Sequence, residues 1–368
     1  MNIVQKPTTI SEKSYRNMKN RLSYSSLKDF DKNRLNFYKE YILGEGSKFA
    51  PTNDTIIGSL GDCLLFTKDD FDLKFLIATS PKPTGQMGEL CDSMINITNK
   101  YAIKIDPEDE FSAYEITASF STIIEEAYQE LIRKDKFKGK TFDKVVEMFE
   151  KDPDGENYYL EGRNSIGKQL VTISQVTYTE KLIKDALNSP FEAGEILRTI
   201  TEGNTEVLDQ LIILFEIEGT LLRSMLDRVI IDHNTKVIKP YDLKITWESE
   251  SFDYNFLKMK YYIQLGVYIS ALKYWIENTR TDLKDYTIED FCFITLDSTG
   301  ISSPLVYKSS KEWYIKSMEG FTTSSGRKYK GIKELISEIN HHLETGNWFM
   351  SKENYENNGV TILKENWL

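Results

Sequence analysis

EIEGTLLRSMLDRVIIDHNTKVIKPYDLKIT, residues 216–246, reads as three β-strands joined by two turns. Leu211 to Glu218 is apolar and β-prone, and Gly219-Thr220 breaks it. Leu221 to Ile231 forms a second run, closed by Asp232-His233-Asn234-Thr235, and Lys236 to Thr246 forms the third. Polar turn clusters between β-branched runs predict hairpins. Asp242 and Lys244 are two residues apart, so a strand projects them from one face. Pairing Ile231 with Lys236 across the turn sets Asp227 opposite Pro240, which makes Asp227 a diagonal neighbour of Asp242 on that same face.

Such a pair points to a cation. Two carboxylates ~4 Å apart repel by roughly 4 kcal/mol at an effective dielectric of ~20. A hard divalent ion with oxygen ligands cancels that repulsion. Lys244 beside them can orient or deprotonate a water, or hold a phosphate oxygen. A lone D-x-K is more often two solvated strand residues, so the reading depends on what surrounds it.

The chain has 368 residues, enough for one large domain or two smaller ones. Its 40% hydrophobic and 12% aromatic content suffices for a packed core. No run of 18 apolar residues and no signal-peptide pattern at Met1-Asn2-Ile3 occurs, so no membrane partner is expected and the compartment is the cytoplasm. Three scattered cysteines, Cys63, Cys91 and Cys292, give neither a disulfide framework nor a four-cysteine iron–sulfur cluster. The formal net charge of -11 argues against non-specific nucleic-acid binding but leaves room for a local basic channel. Basic runs stand at 133–140 and at Arg327-Lys328-Tyr329-Lys330. Solvated faces are their commoner explanation.

Upstream of the meander, residues 1–20 read as a polar arm. LSYSSLKDFDKNRLNFYKEYILG (22–44) follows. Ser23, Ser25 or Ser26 caps a helix there, Leu27, Phe30, Phe37 or Tyr38, and Tyr41 recur at helical spacing, and Gly44 ends it. In IIGSLGDCLLFTKDDFDLKF (56–75), Gly58 and Gly61 flank a short helix opening near Ser59. Asp62 is an acid among Leu60, Cys63, Leu64 and Leu65, either turned to solvent or paired. Residues 78–190 read as a mostly helical insertion, with amphipathic stretches at 119–134 and 141–151 and a polar break at Asp152-Pro153-Asp154-Gly155. Arg163 and Lys168, near glycines, are candidate phosphate contacts in a solvated loop.

Downstream, a single helix is expected over Asp253 to Asn278, with Phe256, Met259, Ile263, Val267 and Ala271 as its apolar stripe. Gln264 and Tyr268, four apart, share a face. Residues 291–308 read as a hairpin with strands near 291–297 and 304–308. Helices follow from Lys311 and over Ile332 to Glu344, then a tail loop. His341-His342 are adjacent, not at a chelating spacing, and are expected on the surface.

Taken in order, the motifs are S-x-S-S-L (23–27), G-x-x-x-D-x-L-L (58–65), a strand with Asp227, D-x-K (242–244) and Q-x-x-x-Y (264–268). This order resembles the PD-(D/E)XK nuclease superfamily, in the branch of RecB- and Cas4-like nucleases and phage or RecE-like exonucleases. The resemblance covers about 22–75 and 208–350. It implies an α/β, restriction-endonuclease-like core at 21–77 and 191–368, with a mixed central sheet flanked by helices and the catalytic strands antiparallel. It implies that Asp227 and Asp242 are metal ligands, that Leu243 lends its main-chain carbonyl, and that Lys244 is the catalytic lysine. Gln264 and Tyr268 match a motif that supports the active site. Asp62 falls where many members carry histidine, an oxygen ligand suited to Mg²⁺ or Mn²⁺. No iron–sulfur cluster is expected.

The function so implied is metal-dependent hydrolysis of DNA, as an exonuclease resecting linear double-stranded ends in phage recombination or repair. It would act in the bacterial host cytoplasm, with Arg163, Lys168, Arg327, Lys328 and Lys330 as candidate DNA contacts. Homo-oligomers and a single-strand annealing or recombination protein are the implied partners. The alternatives are an endonuclease of restriction or structure-specific type, and a non-catalytic DNA-binding protein that keeps the fold.

Overall fold

The computed structural model describes residues 10–18, 20–45, 52–106 and 114–361. The chain divides into two units, residues 1–47 with 186–368, and residues 48–185. The sequence places the division at 77/78 and 190/191 instead. Residues 48–77 belong with the insertion for a packing reason. Strand Phe75–Ala78 pairs in parallel with Gln169–Thr172, and Leu60, Cys63 and Phe75 share a small core with Val171 and Val176.

In the first unit, Ser23 opens helix α1 (Tyr24–Lys32) through a capping box with Ser26. The chain then recaps at Asn33 and passes through a short turn of helix and a π-turn before Gly44, so the single expected helix is three pieces. The meander follows as β1 (Thr205–Ile217), β2 (Thr220–Asp232) and β3 (Val237–Thr246). Helix α2 (Tyr261–Asn278) leads to β4 (Cys292–Asp297), β5 (Leu305–Lys308) and helix α3 (Ile332–Thr345). The sheet order is β5-β4-β3-β2-β1, with β3 and β4 parallel and the other neighbours antiparallel. A parallel pair needs a crossover, and α2 supplies it. The molecule is thus mixed α/β with a mixed central sheet, and its meander strands are antiparallel.

The turns set the register. Glu218 and Gly219 both have positive φ, 50° and 76°, the signature of the two-residue turn that suits strand twist. Between β2 and β3 the turn takes four residues, 233–236. Asp232 Oδ1 accepts from the N–H groups of Asn234 and Thr235 at 2.9 and 3.3 Å, and Lys236 has φ 55°. Ile231 therefore pairs with Ile238, not Lys236.

One continuous core joins α1, β1, β2, α2 and α3, and Leu27, Leu222, Leu226, Tyr262 and Ile332 are fully enclosed in it. The expected helix over 253–278 is broken. A short helix ends at Lys258, Lys260 takes φ 58°, and α2 restarts at Tyr261, which leaves Met259 of the expected stripe exposed. The histidine pair differs too. His342 is fully buried and His341 half-buried, because Ile332, Leu335, Ile336 and Ile339 carry the inner face of α3 on to position 342. Trp348 is buried against it, and the tail adds a short helix, Lys352–Glu356.

The second unit is mostly helical. Gly58 and Gly61 lie inside a helix, Asn53–Phe66, that Thr52 caps. Ser119 and Thr141 cap the helices Phe120–Arg133 and Phe142–Glu150. The polar break at 152–155 is the start of a third, Pro153–Asn164, with Asp152 as cap and proline in its first turn. Leu90, Met94, Ile124, Val145 and Phe149 form its core. Among the described residues no helix is long and apolar enough to cross a membrane, and the three cysteines are buried thiols outside any disulfide.

Candidate active site

The β2–β3 ladder stops at Arg228–Tyr241. One step further, the same register sets Asp227 directly opposite Asp242, where the sequence places it diagonally. The slip is two residues, so the shared face survives. Both carboxylates are buried, Asp227 at 8% and Asp242 at 1% exposure. Asp227 Oδ2 accepts from the Leu243 N–H at 2.8 Å. In a strand the carbonyl of a residue leaves on the same edge as its N–H, so the Leu243 carbonyl faces this gap in the ladder. Asp227 Oδ1 accepts from Gln210 Nε2 at 3.3 Å.

Asp242 is held from two sides. Gln264 Nε2 donates to its Oδ1 at 2.6 Å, and Lys244 Nζ forms an ion pair with its Oδ2. Lys244 also lies over the Tyr261 ring, 5.1 Å from its centroid. Tyr268, one turn after Gln264, is buried, and burial reinforced by Asp242 and Asp227 pushes its hydroxyl well above the usual range. It is a neutral donor.

The electrostatics follow from burial. Enclosure raises the Asp242 carboxyl above the usual carboxylate range, and Lys244, Asp227 and Gln264 pull it back only in part. Burial works to lower Lys244, but Asp242, Tyr261 and Asp227 outweigh it and hold the ammonium above the usual lysine range. Lys244 is therefore a cation at neutral pH. It can hold a water or a phosphate oxygen but has no lone pair with which to deprotonate either, which narrows the two roles the sequence allows.

The donor set fits a hard divalent ion. Mg²⁺ is commonly held by one or two carboxylates and keeps several waters. Here the register sets two carboxylates opposite each other, and strand geometry puts the Leu243 carbonyl on the same edge. The buried Gln264 Oε1 has no hydrogen-bond partner, and Asp242 Oδ2 has only the ammonium. Buried polar atoms are normally satisfied, so these oxygens mark a place that takes a further donor or a cation. Among the described residues no group of three or more His, Cys, Asp and Glu gathers as a metal cluster.

The remaining expected residues stand on other elements of the chain. Asp62 is half-buried on the helix Asn53–Phe66 of the second unit. Arg163, in the last turn of a helix there, and Lys168 are exposed. In the first unit, Arg327, Lys328, Tyr329 and Lys330 line a pocket of about 210 Å³ with Asp31 and Lys260. Its cations are largely neutralised: Lys328 pairs with Glu334 at 2.8 Å, Lys330 with Glu338 at 2.6 Å, and Lys260 with Asp31. Two contributors were not legible as site residues. Tyr261 sits just before the Q-x-x-x-Y motif. Gln210 is a polar residue upstream of the run taken as the first strand, and its only signal is that interruption.

No family model matches the chain, and no curated protein does. Among solved structures, the chain is similar to a protein from Eubacterium rectale that is provisionally named an exonuclease, with TM-score 0.43 and 10% identity over 98% of this chain and 91% of that one. That similarity is too distant to assign chemistry, which rests on the geometry of Asp227, Asp242, Lys244 and Gln264.

Proposed function

We propose that this chain is a metal-dependent nuclease that hydrolyses phosphodiester bonds in DNA, as an exonuclease working from linear ends. One observation carries the reading: two carboxylates stand opposite each other one step past the end of the β2–β3 ladder, with an ammonium and an unsatisfied amide oxygen in the same buried cluster. Asp227, Asp242 and the Leu243 carbonyl would hold Mg²⁺ or Mn²⁺. When bound, such an ion supplies the Lewis acidity that makes a water nucleophilic at neutral pH and offsets charge on the phosphate.

The chain's own groups do the rest. Lys244, protonated, holds a phosphate oxygen or the attacking water and stabilises charge that grows in the transition state. Gln264 fixes Asp242 through its Nε2 and leaves Oε1 to accept a hydrogen bond from a water. Tyr268 stays neutral behind it and keeps the site dry. The net charge of -11 means that nothing but local groups draws in a polyanion.

The test is cleavage of end-labelled linear DNA and of supercoiled circles with Mg²⁺, Mn²⁺ and EDTA. Metal-dependent loss of linear DNA alone is the expected result. Nicking of closed circles would make it an endonuclease. No cleavage under any condition would leave a DNA-binding protein with a silent site.

A further inference from the structure

The β1–β2 ribbon changes face halfway along. Near its turn, Leu211, Ile213, Phe215 and Ile217 of β1 enter the core with Leu222 and Leu226 of β2. Beyond that point the core members are Leu208 on β1 and Val229 and Ile231 on β2. A regular strand sends every second residue to one face. Leu208 and Leu211 are three apart, as are Leu226 and Val229, so each strand has turned by one residue. Between them lie Gln210 and Asp227, opposite each other. The ladder pairs Asp209 with Arg228 and Leu211 with Leu226 and skips only the pair between.

Gln210 has φ 50°, inside a strand. A non-glycine residue there is strained, and such strain gathers where the surroundings require it. Its effect can be read from the pattern. Regular alternation from Leu226 would send Asp227 to the face away from α2. Asp242 lies on the α2 face, bonded to Gln264. The turn at Gln210 brings Asp227 to that same face, and the Gln210 amide then donates to Asp227 Oδ1.

We infer that Gln210 is the positioning residue for Asp227: its left-handed backbone turns the carboxylate towards α2, and its amide holds it there. Glycine would adopt this φ with less strain, so a glutamine here gives the side chain its own task. The inference rests on the nuclease reading only in the use it makes of metal affinity.

Two variants separate the backbone from the amide. Gln210→Gly and Gln210→Ala both lose the amide, but only glycine takes φ 50° freely. The readouts are melting temperature, hydrogen exchange of the Leu243 N–H that donates to Asp227, and Mn²⁺ binding by calorimetry. In a regular strand alanine is the more stable of the two. Here the order should invert, with Gln210→Gly melting about 2–4 °C above Gln210→Ala. The Leu243 amide should exchange faster in Gln210→Ala than in Gln210→Gly. Both should bind Mn²⁺ about 10-fold more weakly than the unchanged chain. An alanine variant as stable as the glycine one, with Leu243 equally protected, would overturn the backbone switch. Unchanged Mn²⁺ affinity in both would overturn the amide's role. If the unchanged chain binds no Mn²⁺ while stability and Leu243 exchange respond as stated, the positioning of Asp227 stands and the nuclease reading falls.

Discussion

Two ion pairs with buried members sit on opposite faces of the same sheet: Asp209–Arg228 joins β1 to β2, and Asp242–Lys244 lies on β3. Arg228 faces one way and meets Asp209 directly across the ladder, Nε to Oδ1 at 2.7 Å and Nη2 to Oδ2 at 2.9 Å. Its Nη1 donates to the carbonyls of Ile196 and Leu197 at 2.7 and 2.9 Å. Every nitrogen of that guanidinium has an acceptor. On the other face, Asp242 Oδ2 meets the Lys244 ammonium, and among the described residues Gln264 Oε1 has no hydrogen-bond partner. A buried charge costs several kcal/mol unless its hydrogen bonds are complete. The saturated pair is built to hold a segment of chain to the sheet. The unsaturated one leaves an acceptor for a further partner. Charge pairing alone does not tell structure from chemistry; the count of unmade bonds does.

The sharpest way to break this contrast is at the carboxylates. Asp227→Asn or Asp242→Asn should abolish cleavage and keep the fold. For Asp242 the stability effect has a sign. Its carboxyl is raised in the folded protein, so the folded state binds its proton more tightly than the unfolded chain does. That group therefore loses stability as pH rises from about 3.9, its unfolded value, through its raised value. Asp242→Asn should remove this loss, and the gap in urea stability between the two proteins should widen with pH across that window. A constant gap would mean that Asp242 is not enclosed as described.

Lys244→Ala and Arg228→Met should give mirror-image results. Lys244→Ala should slow single-turnover cleavage by roughly 10²–10³, the cost of removing one donor that stabilises transition-state charge, with a far smaller change in DNA binding in Ca²⁺. Asp242 can take up a proton once the ammonium is gone, which limits the loss of stability. Equal losses of rate and binding would make Lys244 a DNA anchor. Arg228→Met should instead cost about 3–5 kcal/mol of stability and spare the rate per folded molecule. Chemical denaturation of both variants settles which pair is which.

His342 lies between the two cases, with Nδ1 2.6 Å from the Asn347 carbonyl and Nε2 unpartnered. Burial lowers its pKa, so the unfolded chain binds the proton more readily. Its contribution is fully present above about pH 6.5 and is lost as pH falls through the lowered value. Urea midpoints should drop over that interval, and His342→Gln should flatten the drop. The smallest effect is expected at Lys328, already paired with Glu334. Lys328→Ala should change stability by under about 0.5 kcal/mol and leave the salt dependence of DNA binding intact. A salt slope lower by about 1 would show that it contacts a phosphate.

Much of this was legible because turns announce themselves. Gly219 and the Asp232–Lys236 cluster separate three β-prone runs, and the two-residue spacing of Asp242 and Lys244 needs no register at all. The register was not legible, because a four-residue turn over 233–236 that ends in a left-handed lysine reads in sequence just like one over 232–235. Nor was the break at Lys260, since the apolar period of 256, 263, 267 and 271 runs through it undisturbed. The burial of His342 was readable from the spacing of Ile332, Leu335, Ile336 and Ile339, which continues to it. Gln210 was the hardest. A strained backbone leaves no mark in a sequence when the residue adopting it is not glycine.

The division of the chain bears on how it is made. The first unit is discontinuous: its opening 47 residues are separated from its sheet by the whole of the second unit. A ribosome adding 5–20 residues per second takes on the order of ten seconds to cross that gap. For that time Leu27, Phe30 and Phe37, all buried in the finished core, have no strands to pack against. The second unit, continuous and with its own core, can close meanwhile. The meander strands come after it, and β3 gains its parallel neighbour β4 only once α2 has been made. Chains stalled on the ribosome before residue 297 should accordingly show a protease-resistant second unit and a cleavable amino-terminal segment.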